Sequence, residues 1–140
     1  MIGAVHTDDI RDLKQLISAV DAKLFCASKL CLVNPTFGRA SELVGGADAD
    51  LVIDDIIIDI KTTKKLSLER TAFSQVMRYY VLHHIRNAGR MRAQPKISRV
   101  GIYFSRYGYL HVMHLSEIID SKTFPRFVRW FERRAKKEFG

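Results

Sequence analysis

Between residues 45 and 65 the chain reads GGADADLVIDDIIIDIKTTKK, in which apolar and polar positions fall into short blocks. Two apolar runs of three, Leu51-Val52-Ile53 and Ile56-Ile57-Ile58, flank Asp54-Asp55. Runs rich in β-branched residues, broken by a two-residue turn signal, predict the strands of a β-hairpin. If Ile53 faces Ile56, Asp50 falls opposite Asp59 and Asp48 opposite Lys61. Side chains alternate along a strand, so Asp48, Asp50, Asp59 and Lys61 project from one face. A loop of even length centred on the two aspartates keeps this register, and a bulge breaks it.

The flanking pattern supplies the other elements. Ile10, Leu13, Leu16, Ile17 and Val20 recur at helical spacing behind a cap at Thr7 or Asp8. Residues 29–33 form an apolar run short enough to be a strand or the end of a helix. Asn34-Pro35-Thr36-Phe37-Gly38 carries loop chemistry. Residues 41–44 are expected to enter the hairpin as a further strand segment, with Glu42 in the parity of Asp48 and Asp50. Ser67 can cap a helix over about residues 68–86. A second hairpin is expected over residues 97–104 and 109–115, turning at Arg106-Tyr107-Gly108. A last helix begins near Thr123, with Pro125 tolerated in its first turn and Phe127, Val128, Trp130 and Phe131 on its apolar side. This order predicts a single α/β domain over 1–140, a mixed central sheet flanked by helices.

Two carboxylates directly opposite on a sheet repel one another. A fold retains such a pair when a positive group lies between them, and hard divalent cations favour carboxylate and carbonyl oxygen. The competing reading is a solvated outer hairpin face, polar by default. Asp-x-Lys occurs four times, at Asp12, Asp21, Asp59 and Asp120, and only Asp59-Ile60-Lys61 lies on a strand whose partner carries further acids. Downstream, Gln75 and Tyr79 are four apart, hence neighbours on one helix face amid Phe73, Val76, Met77, Tyr80 and Leu82. His83 and His84 have no ligand-type spacing and are read as structural.

An acid near the start of one strand, Asp-x-Lys on the next, and Gln75-Val76-Met77-Arg78-Tyr79 as QxxxY resemble the PD-(D/E)xK nuclease superfamily, in its RecB-like and lambda-exonuclease-like branch. The resemblance spans roughly residues 45–82. It implies a restriction-endonuclease-like αβββαβ core and a DNA nuclease dependent on Mg²⁺ or Mn²⁺, acting in DNA repair, recombination or defence. It implies catalytic roles for Asp50, Asp59, Lys61, Gln75 and Tyr79, and metal ligation by Asp48, Asp50, Asp59 and the Ile60 carbonyl. Cross-strand geometry favours Asp50 as the upstream ligand, whereas Gly45-Gly46-Ala47-Asp48 fits the family's G-x-x-D form. No proline precedes either aspartate. Some relatives carry an iron–sulfur cluster on four cysteines. This chain has two, so no cluster is expected. GxxxxGK[ST] is absent from the sequence, so no ATP is expected. A dimeric Holliday-junction-resolvase-like endonuclease is the rival enzyme reading. A basic nucleic-acid-binding module with a vestigial site is the rival of another class.

Charge adds a partner. The net +8 is uneven: ten Lys/Arg against eleven Asp/Glu through residue 85, then thirteen against four from Arg86 onward. A basic half beside an acidic hairpin is the footprint of a surface that holds phosphates next to one that holds metal. Arg78, Arg86, Arg90, Arg92 and Lys96 are the candidate DNA-backbone contacts, with 86–96 as a basic connector. Tyr103, Phe104, Tyr107 and Tyr109 can stack on bases or fill the core. The composition, 47% hydrophobic and 27% charged, is that of an ordinary globular protein. No apolar run approaches the roughly 20 residues that span a bilayer. MIGAVHTDDIRD lacks a signal-peptide pattern, so a cytoplasmic protein without a membrane partner is expected. Cys26 and Cys31 are expected to be buried free thiols.

Overall fold

A computed structural model of the protein describes residues 5–88 and 95–140. The elements run α1 (Thr7–Ser18), a 3-10 turn (Ala22–Phe25), β1 (Cys31–Val33), α2 (Arg39–Glu42), β2 (Leu51–Ile53), β3 (Ile56–Lys61), α3 (Arg70–Asn87), β4 (Arg99–Phe104), β5 (Tyr109–His114), α4 (Leu115–Ile118) and α5 (Phe124–Phe139). The fold is α/β. Its five strands lie in the order β1-β2-β3-β4-β5, all neighbours antiparallel except the parallel pair β3–β4. A parallel pair needs a long crossover, and α3 supplies it. Among the described residues no helix is long and apolar enough to cross a membrane.

The hairpin takes the expected register: Ile53 faces Ile56, Val52 faces Ile57 and Leu51 faces Ile58. Alternation then sorts the sheet into two faces. Val52, Ile57, Val100, Ile102 and Phe104 pack against Val76, Tyr79 and Leu82 of α3 and against Phe37. Ile53, Ile56, Ile58 and Tyr103 cluster on the other face with Leu24 and Phe25. Each fully buried aliphatic side chain contributes about 1.5–3 kcal/mol relative to exposure. That burial seats α3 on the face to which Asp59 and Lys61 belong by parity.

Asp54 does more than turn the hairpin. It adopts φ 50°, a left-handed conformation that Asp tolerates better than most residues. Its carboxylate accepts from the Lys29 and Leu30 amides at 2.7 and 2.9 Å, and from the Ser28 amide and hydroxyl at 2.9 and 3.0 Å. These bonds, the Ser28 amide foremost, hold its carboxyl far below the usual carboxylate range.

Two sequence expectations change here. Residues 41–44 do not form a strand: Arg39–Glu42 is a short helix. Ser41 Oγ accepts from the Phe37 amide and donates to the Ala47 carbonyl, and Gly45 and Gly46 have φ of 73° and 105°. This closed loop leaves no extended backbone for a ladder. Cys26 and Cys31 are free but exposed: Cys31 lies on β1, the edge strand, whose three residues are all open, and Cys26 follows the 3-10 turn. Of the two readings open for Tyr103 and Phe104, the core one holds: they are 3% and 4% exposed.

Candidate active site

The site forms where the last residues of β3 pass beneath α3. Asp59 is 2% exposed. It cannot be part of a solvated outer face, because α3 covers its side of the sheet. Lys61 Nζ lies 2.9 Å from Asp59 Oδ2 and donates to Gln75 Oε1 at 2.7 Å. Gln75 Nε2 donates in turn to the Tyr79 hydroxyl at 2.7 Å. Four side chains from two elements thus form one chain of contacts, Asp59–Lys61–Gln75–Tyr79. Local folding explains the placement: Ala72, Val76, Tyr79 and Leu82 are the buried stripe of α3, and Gln75 follows the same face one turn before Tyr79. Tyr79 is fixed from behind by Phe37, its ring stacked with centroids 5.7 Å apart.

Asp50 enters from the end of β2. Its Oδ2 accepts from the Ile60 amide at 2.6 Å, which anchors it across the hairpin beside the Asp59–Lys61 segment. Its charge bears on both Asp59 and Tyr79. Burial is the main force raising the Asp59 carboxyl above its ordinary value. The hydrogen bond and charge of Lys61 oppose that rise, and repulsion from Asp50 adds the smallest contribution. Burial likewise raises the Tyr79 phenol, which therefore stays protonated at neutral pH.

Asp59 Oδ2 is buried, with the Lys61 ammonium 2.9 Å away as its charged neighbour. Among the described residues no three His, Cys, Asp or Glu side chains cluster to hold a metal ion. Asp59 and Asp50 would be the carboxylate ligands of a divalent cation and the Ile60 carbonyl a third oxygen, in keeping with Mg²⁺, which takes one or two carboxylates and fills its shell with water and phosphate.

The other anticipated residues divide sharply. Asp48 is not opposite Lys61: it bridges Thr36 on the β1 side of the sheet and is exposed. Beyond Asp50 the strand keeps its β1 partner and leaves β3, so the parity argument holds but the neighbour changes. Glu42 sits exposed on α2, away from the sheet face. Arg78 is exposed and lines a polar groove of about 500 Å³ with Gln75, Tyr79, Ser74 and Arg70. Arg70 was not anticipated; its spacing of eight from Arg78, two helical turns, was the available signal. Arg86 is half-buried and its Nη1 donates to the Thr36 carbonyl at 2.9 Å, so it ties α3 to the loop before α2. Lys96 is exposed. Arg90 and Arg92 lie outside the described residues.

Of the remaining candidates, Tyr107 and Tyr109 are each 46% exposed, and the Tyr107 hydroxyl donates to the Lys64 carbonyl. His83 Nε2 contacts the Pro95 carbonyl and the Asn87 side chain at 3.0 and 2.9 Å. The three other Asp-x-Lys acids have structural partners. Asp12 takes two bonds from Arg106, Asp21 caps the 3-10 turn, and Asp120 accepts from the Lys122 amide. No family model, curated protein or solved structure matches the chain.

Proposed function

We propose that the chain hydrolyses DNA phosphodiester bonds with a divalent cation, Mg²⁺ or Mn²⁺, on a restriction-endonuclease-like core. The observation that carries this reading is Asp59, a buried carboxylate ion-paired with a lysine that Gln75 holds, Gln75 being fixed in turn by Tyr79. The order α1, β1, β2, β3, α3, β4 supports the αβββαβ core, with α2 as a short insertion. Asp59, Asp50 and the Ile60 carbonyl would hold the cation, whose Lewis acidity lowers the pKa of a water and offsets phosphate charge. Lys61, ion-paired on one side and fixed by Gln75 on the other, orients the attacking water and stabilises charge developing on the phosphoryl oxygens. Tyr79 fixes Gln75, and Arg70 and Arg78 hold the flanking phosphates in the groove alongside.

The test is cleavage of labelled linear and circular DNA with Mn²⁺ and with EDTA. Cleavage is expected only with the cation. Asp59→Asn and Lys61→Ala should each abolish it while DNA binding persists. Equal cleavage by the wild type and both variants would overturn the assignment.

A further inference from the structure

The sheet ends on β5, and a terminal strand presents one row of backbone N–H and C=O groups to whatever lies beside it. Among the described residues β5 exchanges backbone hydrogen bonds with β4 alone. Natural sheets guard such an edge by keeping the strand short, or by placing charged side chains, proline or a bulge on it. The opposite edge is guarded in the first way, since β1 has only three residues. β5 has none of these guards. It is six residues long, Tyr-Leu-His-Val-Met-His, without Asp, Glu, Lys, Arg or Pro. It pairs with β4 without a break from Tyr109 to His114.

Both faces of this edge are apolar. Leu110 and Val112 pack against the Ile53, Ile56, Ile58 and Tyr103 cluster, and Met113 packs on the α3 side. All three are only half-buried, so apolar area remains at the rim of each face. What fits that rim is the strand itself. Two identical antiparallel strands are related by a two-fold axis perpendicular to the sheet, so one residue faces its own copy and like faces stay aligned. With the axis at His111, Leu110 lies opposite Val112 of the second copy, and Tyr109 lies opposite Met113 of the second copy. Aliphatic then meets aliphatic on one face, and an aromatic ring meets a thioether on the other. Moving the axis to Val112 sets Leu110 against His114 and Met113 against His111, which loses both matches.

We infer that two copies of the chain join β5 to β5 as antiparallel strands, with His111 on the two-fold axis, making one continuous sheet. The axis keeps both α3 helices on the same face of that sheet. The two Asp59–Lys61 segments would then lie on one side, about 24 Å apart across five strand spacings. The pairing needs no chemistry at Asp59 and stands whether or not the chain cleaves DNA.

Sedimentation equilibrium of the full chain without DNA should give a dimer at micromolar concentration. His111→Lys sets two ammonium groups opposite each other on the axis, and should yield a monomer with an unchanged far-ultraviolet circular dichroism spectrum. Cross-linking reads the register independently of that variant. In a Cys26→Ser/Cys31→Ser background, His111→Cys should oxidise to a covalent dimer with copper–phenanthroline, because directly opposite Cβ atoms are about 4.5–5.5 Å apart. Tyr109→Cys should not, since an offset of four residues holds its two copies about 13 Å apart along the strands, beyond the reach of a disulfide. A monomeric wild type overturns the inference and leaves the edge to an extended segment of another protein. A dimer that survives His111→Lys, or that cross-links as well through Tyr109→Cys as through His111→Cys, overturns the β5–β5 contact.

Discussion

Lys61 Nζ is held between two fixed acceptors, Gln75 Oε1 at 2.7 Å and Asp59 Oδ2 at 2.9 Å. On the nuclease reading its ammonium would lose little freedom on substrate binding, and preorganised charge of this kind acts more strongly than charge recruited during reaction. Gln75 is the positioning residue, since it touches Lys61 and not, by this reading, the reacting atoms. Gln75→Leu should lower kcat about 10- to 100-fold with KM nearly unchanged. Tyr79→Phe, which removes one hydroxyl acceptor behind Gln75, should cost less. Steady-state kinetics in Mn²⁺ checks both, and a rise in KM at constant kcat would place Gln75 in DNA binding.

Asp59 should cost stability when no cation is present. Burial raises its carboxyl in the folded state, so its favourable contribution is full below the unfolded value of 3.8 and lost as pH rises through the folded one. At neutral pH the charged form is a burden. Asp59→Asn should raise the stability of the metal-free protein by on the order of 1 kcal/mol and erase the gain that Mn²⁺ gives the wild type by mass action. Melting in EDTA and in Mn²⁺ measures both. A less stable variant that still gains from Mn²⁺ contradicts the placement of the cation.

Asp55 has the opposite sign. The Arg99 guanidinium, bonded at 3.1 and 2.5 Å, holds the Asp55 carboxyl down to about 2. That contribution is full above the unfolded value of 3.8 and disappears as pH falls through about 2. The pair is roughly one-third exposed, so solvent reduces its worth to about 1 kcal/mol. Asp55→Asn should be less stable than wild type at pH 7, with the gap closing toward pH 2. Urea unfolding across that range decides, and a constant gap would mean the ion pair is not its source.

Two arginines of the same helix should behave differently on DNA. Arg78, exposed in the groove, is expected to contact phosphate: Arg78→Ala should weaken binding and flatten the slope of log K against log salt by about 0.7 to 0.9. Arg86, bonded to the Thr36 carbonyl, should instead lower the melting temperature when replaced by Ala, with the salt slope kept. Reversed results would exchange their roles.

The hairpin was legible because two turn residues between runs of three leave little choice of register, and that register puts Asp50 beside the Asp59–Lys61 segment. Gln75 and Tyr79 were legible as a pair because helical spacing alone makes them neighbours. Asp48 misled for a specific reason. The strand passes from a β3 partner to a β1 partner beyond Asp50, and parity is silent about which neighbour a side chain meets. The driver at Asp59 was misjudged as well: burial under α3 outweighs repulsion from Asp50, and burial is a tertiary property. Cys31 was misplaced for the same kind of cause, since an apolar strand reads identically at a sheet's centre and at its edge.

The parallel pairing of β3 with β4 has a bearing on when the site comes into being. The β2–β3 hairpin is local and can close in microseconds. The clamp on Lys61 waits for α3 to return over the sheet and for β4 to dock, as in the Thr62–Ser105 contact, whose partners are 43 residues apart. Non-local parallel pairing is the slow step in folds of this kind. A chain arrested before α3 would keep both aspartates on an open hairpin, with Lys61 unrestrained and no wall above Asp59. The contact chain Asp59–Lys61–Gln75–Tyr79 is therefore a late product of folding.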